Sequence, residues 1–393
     1  MMNRRQFLNL VVWSWSDRLY SLRRIDPSKN LFYESTQQAQ KAASAEKRKK
    51  FDKTFRSLPD PIASFDPSPT GVVNSGLEWF ELFAPRSSES RIVNSNKAGE
   101  ITMFDADKRL ILALPNLYQP KGHDAVVISV THPSADEDSL YIMDRHPGRA
   151  VTRPRLPAGS DHPRSCFEVL EYKRSNLTDS HKGWHWRLLP PPPFVHLPGF
   201  QPSSLVTSYT TMDTVDGFSS ICISSDKGFG TYCFDTACLD PSHSLGWRNL
   251  DEWRHVGDWA LPFEGRAEFV REFDIWLGFK AATLPCRLNH LCAVDLSAMD
   301  HGREPIVQHV WEHLALPEEK QPARLCPMHQ RLVNLGSGRF CIAKVFNDLE
   351  DGTYFAVLTG VELLRNEQDQ SLQILKHKCV RYISNTERIR WVL

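Results

Sequence analysis

Apolar and polar residues alternate in short runs along most of the chain, and the runs are bounded by Gly, Pro, Asn, Asp and Ser. That spacing predicts strands. Residues 5–12 and 18–25 are β-branched, aromatic and leucine-rich with turn residues between, so they predict a strand pair. Residues 35–52 are good helix formers with almost no apolar face, which predicts an exposed helix or a linker. Residues 57–76 bring Pro59, Pro61, Pro67, Pro69, Gly71 and Gly76 among serines and aspartates, the composition of a loop. The expected organisation is a basic segment over residues 1–57, a Pro/Gly-rich loop over residues 58–76, and an all-β body over residues 77–393.

The body repeats. A strand ending in Leu-Pro recurs at Leu114-Pro115, Leu189-Pro190, Leu261-Pro262 and Leu316-Pro317, and three of the four runs carry tryptophan upstream: Trp184 and Trp186, Trp253 and Trp259, and Trp311. Further upstream lies a strand that usually finishes in an acidic residue, as in Met103-Phe104-Asp105, Cys233-Phe234-Asp235 and Ala293-Val294-Asp295. An Asp there closes a turn through backbone amides, and Pro ends a strand where no further ladder amide is needed. Two more strands precede each pair, so one unit holds four. Five such units fit, the last without the Leu-Pro mark. The marks stand 75, 72 and 55 residues apart, longer than regular propeller repeats, which places insertions over residues 146–165 and 237–250.

Four-stranded units in series, each with an apolar face it cannot bury alone, predict a β-propeller of about five to six blades. The N-terminal strand pair is expected either to join the last blade or to help form a sixth. The competing architecture is a pair of β-sandwiches.

Charge changes the picture in one respect. The totals balance at 47 Lys plus Arg and 47 Asp plus Glu, yet residues 1–57 hold 13 basic against 5 acidic residues. A mildly acidic remainder speaks against a broad nucleic-acid surface. The longest apolar stretches, such as residues 7–13, fall short of the ~20 residues of a membrane helix, so no span is expected. Asn3-Arg4-Arg5-Gln6-Phe7-Leu8 looks like a twin-arginine export signal but lacks the long apolar stretch and cleavage site, and an ordinary strand is expected. The nine cysteines are odd in number and without paired spacing, several inside apolar runs where Cys packs as a small hydrophobe. A reducing compartment, cytoplasmic or nuclear, is the reading.

The chemical candidates are weak. Cys326-Pro327-Met328-His329, and Cys286 to Cys292 enclosing His290, have ligand-like spacing, but zinc needs four converging ligands and no metal site is expected. His309 with His313, and His181 with His185, are spaced as on a helix turn yet lie in or beside predicted strands. Gly336-Ser337-Gly338 reads as a hairpin turn rather than a nucleophile elbow, and no Gly-rich phosphate loop occurs, so no cofactor is expected. Lys47-Arg48-Lys49-Lys50 offers a nuclear address or a solvated helix face. Asn176-Leu177-Thr178 is an idle glycosylation pattern, and Pro190 to Pro193 a stiff connector. Leu58-Pro59-Asp60 starts like an F-box, but Pro61, Pro67, Pro69 and Gly71 replace its helices.

Several stretches carry a family resemblance: Arg4-Arg5-Gln6-Phe7-Leu8-Asn9-Leu10-Val11-Val12, Tyr141-Ile142-Met143-Asp144-Arg145, Cys166-Phe167-Glu168-Val169-Leu170 and Gly230-Thr231-Tyr232-Cys233-Phe234-Asp235-Thr236. Stronger still are Gly257-Asp258-Trp259-Ala260-Leu261-Pro262-Phe263-Glu264-Gly265-Arg266-Ala267-Glu268 and Leu335-Gly336-Ser337-Gly338-Arg339-Phe340. Over almost its whole length the chain resembles a plant family, abundant in grasses, known as domain of unknown function 1668. The resemblance implies a kelch-like propeller and no reaction or site, although no blade here has the Gly-Gly pair usual in kelch repeats. The functional expectation is a protein-interaction module without catalysis, its partner a protein and its specificity in the inserted loops. The alternative is a hydrolase or lyase that takes a small polar substrate at the channel mouth.

Overall fold

A computed structural model describes residues 5–46, 55–67, 76–84, 88–132, 135–148, 166–174, 181–213, 219–225, 228–236, 252–281, 289–316, 324–366, 368–384 and 386–393, and nearly every alternating run in them is a strand. The N-terminal pair is a hairpin of β1 (Leu8–Ser14) and β2 (Leu19–Ile25). A one-turn helix α1 (Pro27–Asn30) follows, capped by the Asp26 carboxylate, which accepts from the Ser28 and Lys29 amides. Then come α2 (Thr36–Glu46) and two short strands, β3 (Phe55–Arg56) and β4 (Pro61–Phe65). The loop expected over residues 57–76 is thus interrupted by β4, an edge strand that begins at Pro61, where a missing amide breaks no ladder.

The five four-strand repeats follow in chain order. The first holds β5 (Leu77–Leu82), β6 (Arg91–Asn96), β7 (Ile101–Asp105) and β8 (Leu110–Leu114). The second holds β9 (Val126–Val130), β10 (Ser139–Met143), β11 (Phe167–Arg174) and β12 (Lys182–Leu189). The third holds β13 (Val206–Asp213), β14 (Ser219–Ser225), β15 (Thr231–Asp235) and β16 (Trp253–Gly257). The fourth holds β17 (Phe263–Val270), β18 (Ile275–Lys280), β19 (Leu291–Asp295) and β20 (Ile306–Trp311). The fifth holds β21 (Leu325–Gly336), β22 (Arg339–Asp348), β23 (Tyr354–Arg365) and β24 (Leu372–Ser384), and β25 (Glu387–Val392) ends the chain. The N-terminal hairpin does not join the fifth repeat. With β25 and β4 it forms a separate four-stranded sheet in the order β25-β1-β2-β4. The fold class is an all-β propeller built of four-stranded units.

The chain divides into two compact units. One comprises Ser68–Arg266 and Ser297–Pro305. Its second blade is apolar on both faces, which is why β10 is buried without alternation. Leu140 and Ile142 pack with Trp79, Val93 and Leu114 of the first blade, while Tyr141 and Met143 pack with Ile221, Ile223 and Phe234 of the third. Beyond the third blade, Ser208 and Tyr209 pair in parallel with Gly265 and Arg266.

The other unit comprises Met1–Pro67, Ala267–Leu296 and Ile306–Leu393, and repeats the arrangement. The fifth blade meets β1 and β25 through Val333, Ala343, Val345 and Leu358 on one face. Its opposite face meets the fourth blade through Leu332, Phe340, Ile342 and Val361. β1 and β25 lock together at their ends, where Asn9 and Leu393 exchange backbone hydrogen bonds of 3.0 and 2.8 Å.

The cysteines differ from expectation at one place. Cys222 and Cys233, inside apolar runs, are directly opposite each other on β14 and β15 and form a disulfide. Cys166, Cys292 and Cys341 are buried free thiols, as the small-hydrophobe reading expects.

Candidate functional site

Two clusters of ionisable groups are built into the fold. In the first, the linker after β8 turns Lys121 inward to an ion pair with Glu168 of β11, both side chains being fully buried. Glu168 also accepts the amides of Tyr118 and Gln119 at 3.0 and 3.2 Å, and Lys121 Nζ donates to the Gln119 carbonyl at 2.9 Å. Burial presses the Lys121 amine below its ordinary value, and the Glu168 carboxylate opposes this. Beside it burial pushes the Cys166 thiol up to about 12. A cluster so enclosed ties a linker to a blade and does not meet a solute.

The second lies where α2 begins on the fifth blade. Glu362 Oε2 accepts from His377 Nε2 and the Thr36 hydroxyl, both at 3.1 Å, and Oε1 accepts from Arg339 Nε at 3.0 Å. His377 Nδ1 accepts the Tyr33 amide at 3.2 Å, which leaves the ring proton on Nε2, facing the carboxylate. The hydrogen bond from His377, with Arg339 adding to it, lowers the Glu362 carboxyl to about 2. Through the Tyr33 amide and the Thr36 hydroxyl the group is a clamp on residues 33–36.

An exposed feature of another kind is β8. Its sequence Leu110-Ile111-Leu112-Ala113-Leu114 is apolar throughout, yet only Leu114 is buried. Leu110, Ile111 and Leu112 are 61%, 67% and 45% exposed. β8 is the last strand of its sheet, so among the described residues one of its edges presents backbone groups that no other strand engages. Such an edge is a template for strand addition unless charge or Pro blunts it. The cations Lys108 and Arg109 stand exposed in the turn just before it. Sequence reading missed this site because an apolar run looks alike whether covered or bare. One signal was present: among the Leu-Pro runs, this one lacks a tryptophan.

The residues singled out in the sequence are scattered. Cys326 and His329 lie on β21, His290 just before β19 and Cys292 within it, and Cys286 outside the described residues. His309 stacks on Trp311 within β20, while His313 is in the following 3-10 turn. His185 sits in β12, and His181 precedes it. Gly336-Ser337-Gly338 makes the β21–β22 turn, with Ser337 at φ 54. Pro190 to Pro193 connect β12 to a 3-10 turn. Leu58 packs on the core of its unit and the Pro59 carbonyl accepts from Arg23. Lys47 to Lys50, Asn176 to Thr178 and most of the two insertions lie outside the described residues. Among the described residues no helix is long and apolar enough to cross a membrane.

A family model described as a protein of unknown function (DUF1668) matches residues 5–382. No curated protein matches the chain. Solved structures give distant likenesses. A hypothetical selenium-binding protein from Sulfolobus tokodaii is 9% identical over 99% of this chain and 93% of its own, at a TM-score of 0.42. An auxiliary nutrient binding protein from Bacteroides thetaiotaomicron is 9% identical over 79% and 69%, at 0.35. The Cps50 (Swd1) β-propeller domain from Myceliophteria thermophila is 12% identical over 76% and 85%, at 0.30.

Proposed function

The chain belongs to the DUF1668 family, and we propose that it is a non-catalytic binding protein whose β8 edge takes up an extended segment of a partner protein. One observation carries the reading: an edge strand with three exposed large apolar side chains in a row. Strand addition supplies main-chain hydrogen bonds for affinity and side-chain contacts for specificity. Lys108 is paired with Asp105 at 3.7 Å, and Arg109 beside it favours a segment that is apolar with an acidic residue at one end. The strongest ionisable clusters, Lys121 with Glu168 and Glu362 with His377, are engaged with the chain's own groups, so the weight falls on the strand edge. The proposal includes a kelch-like plant protein, on the residues that carry the family resemblance, and a place in the cytoplasm or nucleus, on the five free thiols that accompany the one disulfide among the described residues.

Peptide selection on the immobilised full chain tests it. Wild type is expected to enrich extended apolar peptides with acidic ends, and Ile111→Lys, which alters a 67% exposed side chain, to lose them without loss of stability. Equal enrichment on the variant would overturn the proposal.

A further inference from the structure

The face of the fifth blade that carries Ala343, Val345 and Ala356 packs against Ile389 of β25. Residues paired across a ladder share a face, as do residues two apart on one strand. His329 pairs with Val345, and Arg331 with Ala343. Asn347 and Tyr354 pair with each other, two residues from Val345 and Ala356. The apolar face therefore ends in a polar patch contributed by β21, β22 and β23. Arg388 of β25 reaches the same patch, its guanidinium carbon 4.7 Å from the centre of the Tyr354 ring.

Three polar atoms here, His329 Nε2, Asn347 Oδ1 and Arg388 Nε, are sealed from solvent without a hydrogen-bond partner. Their residues are themselves half-buried, at the margin of the packed face rather than deep within it. Buried polar atoms are nearly always paired, so three orphans within one patch call for a partner that the surrounding side chains do not supply. The charge is also one-sided. Burial and then Arg390 hold Arg388 below the usual guanidinium range, and the Tyr354 hydroxyl opposes them. Burial, then Arg388, Arg390 and Arg331, press the His329 imidazole down to about 3, so it is neutral at physiological pH. The neighbouring acids are committed elsewhere, Glu387 to Arg23 and Asp348 to Arg324.

We propose that His329, Asn347, Arg388 and Arg390 bind a small oxyanion that also carries a hydroxyl, with hydrogenphosphate as the simplest member of the class. Arg388 Nε donates to an anionic oxygen and Arg390 adds charge. Asn347 Oδ1 accepts the hydroxyl of the ligand, and the neutral His329 ring donates or accepts according to its tautomer. The site uses none of β8, and it stands or falls apart from the partner-binding reading.

The test is thermal unfolding of the full chain in about 10 mM inorganic phosphate, against chloride at matched ionic strength. Phosphate is expected to raise the wild-type Tm by about 2–4 °C through binding to the folded state. Arg388→Gln is expected to abolish that rise. Should Arg388→Gln fail to fold, Asn347→Asp decides. It sets a carboxylate beside Arg388, and is expected to raise Tm in chloride and remove the response to phosphate. No phosphate effect on wild type, or an undiminished effect in either folded variant, would overturn the proposal.

Discussion

The indole N–H of Trp186 donates to the carbonyl of Pro115 at 2.6 Å, joining the last strand of one blade to the Leu-Pro that closes the blade before it. Trp253 repeats the bond to Pro190 at 2.9 Å. The recurring tryptophan and the recurring Leu-Pro are thus two halves of one device. Pro ends the strand, and its carbonyl, free of the ladder, receives the next blade's indole. Trp186→Phe and Trp253→Phe keep most of the apolar area and lose the donor. Each is expected to lower stability by about 1–2 kcal/mol in urea unfolding. A change within error in both would show that the bond is incidental.

The Lys121 to Glu168 pair is fully buried, so removing one partner strands the other. Lys121→Met is expected to cost about 3–5 kcal/mol. Lys121→Met with Glu168→Gln is expected to recover part of that loss, because the uncompensated charge is gone. The unfolding midpoints of the two proteins check the order.

Gly360 is the site where the segment after α1 touches the fifth blade. A Cβ there would fall 2.3 Å from the Leu31 carbonyl oxygen, which accepts the Lys378 amide at 3.0 Å. Gly360→Ala is expected to lift the segment away, at a cost of roughly 2 kcal/mol or more. Limited proteolysis checks it, with faster cleavage between residues 26 and 46 in the variant.

Glu362 gives the protein an acid-sensitive clamp. Its folded value of about 2 lies below the ordinary carboxyl value, so its stabilisation is fully present above about pH 4.5 and fades as the pH falls towards 2. Glu362→Gln is expected to be less stable than wild type at pH 7, with the gap narrowing between about pH 5 and pH 3. Urea midpoints across that range measure it.

The blades were legible because each four-strand repeat writes the same order of strand, acid-ended strand and Leu-Pro strand into local residue types. Asp105 illustrates it, accepting the amides of Asp107 and Lys108 to close the turn that the sequence implies. What remained hidden depends on register between distant segments. Cys222 and Cys233 are 11 residues apart, and only the β14–β15 ladder shows that they face each other. The strand β4 is written as Pro-rich loop, and becomes a strand because β2 offers an edge to it. The basic patch around His329 draws on β21 and β25, whose neighbourhood no local spacing encodes. The exposure of β8 belongs to the same class.

Amide hydrogen exchange of residues 110–114, followed in the full chain alone and with a selected apolar peptide bound, tests partner capture by strand addition most directly. Exchange at alternate amides of β8 is expected to slow by about tenfold or more on binding, as outward N–H groups acquire partners. Unchanged exchange along β8 with a peptide tightly bound would contradict it.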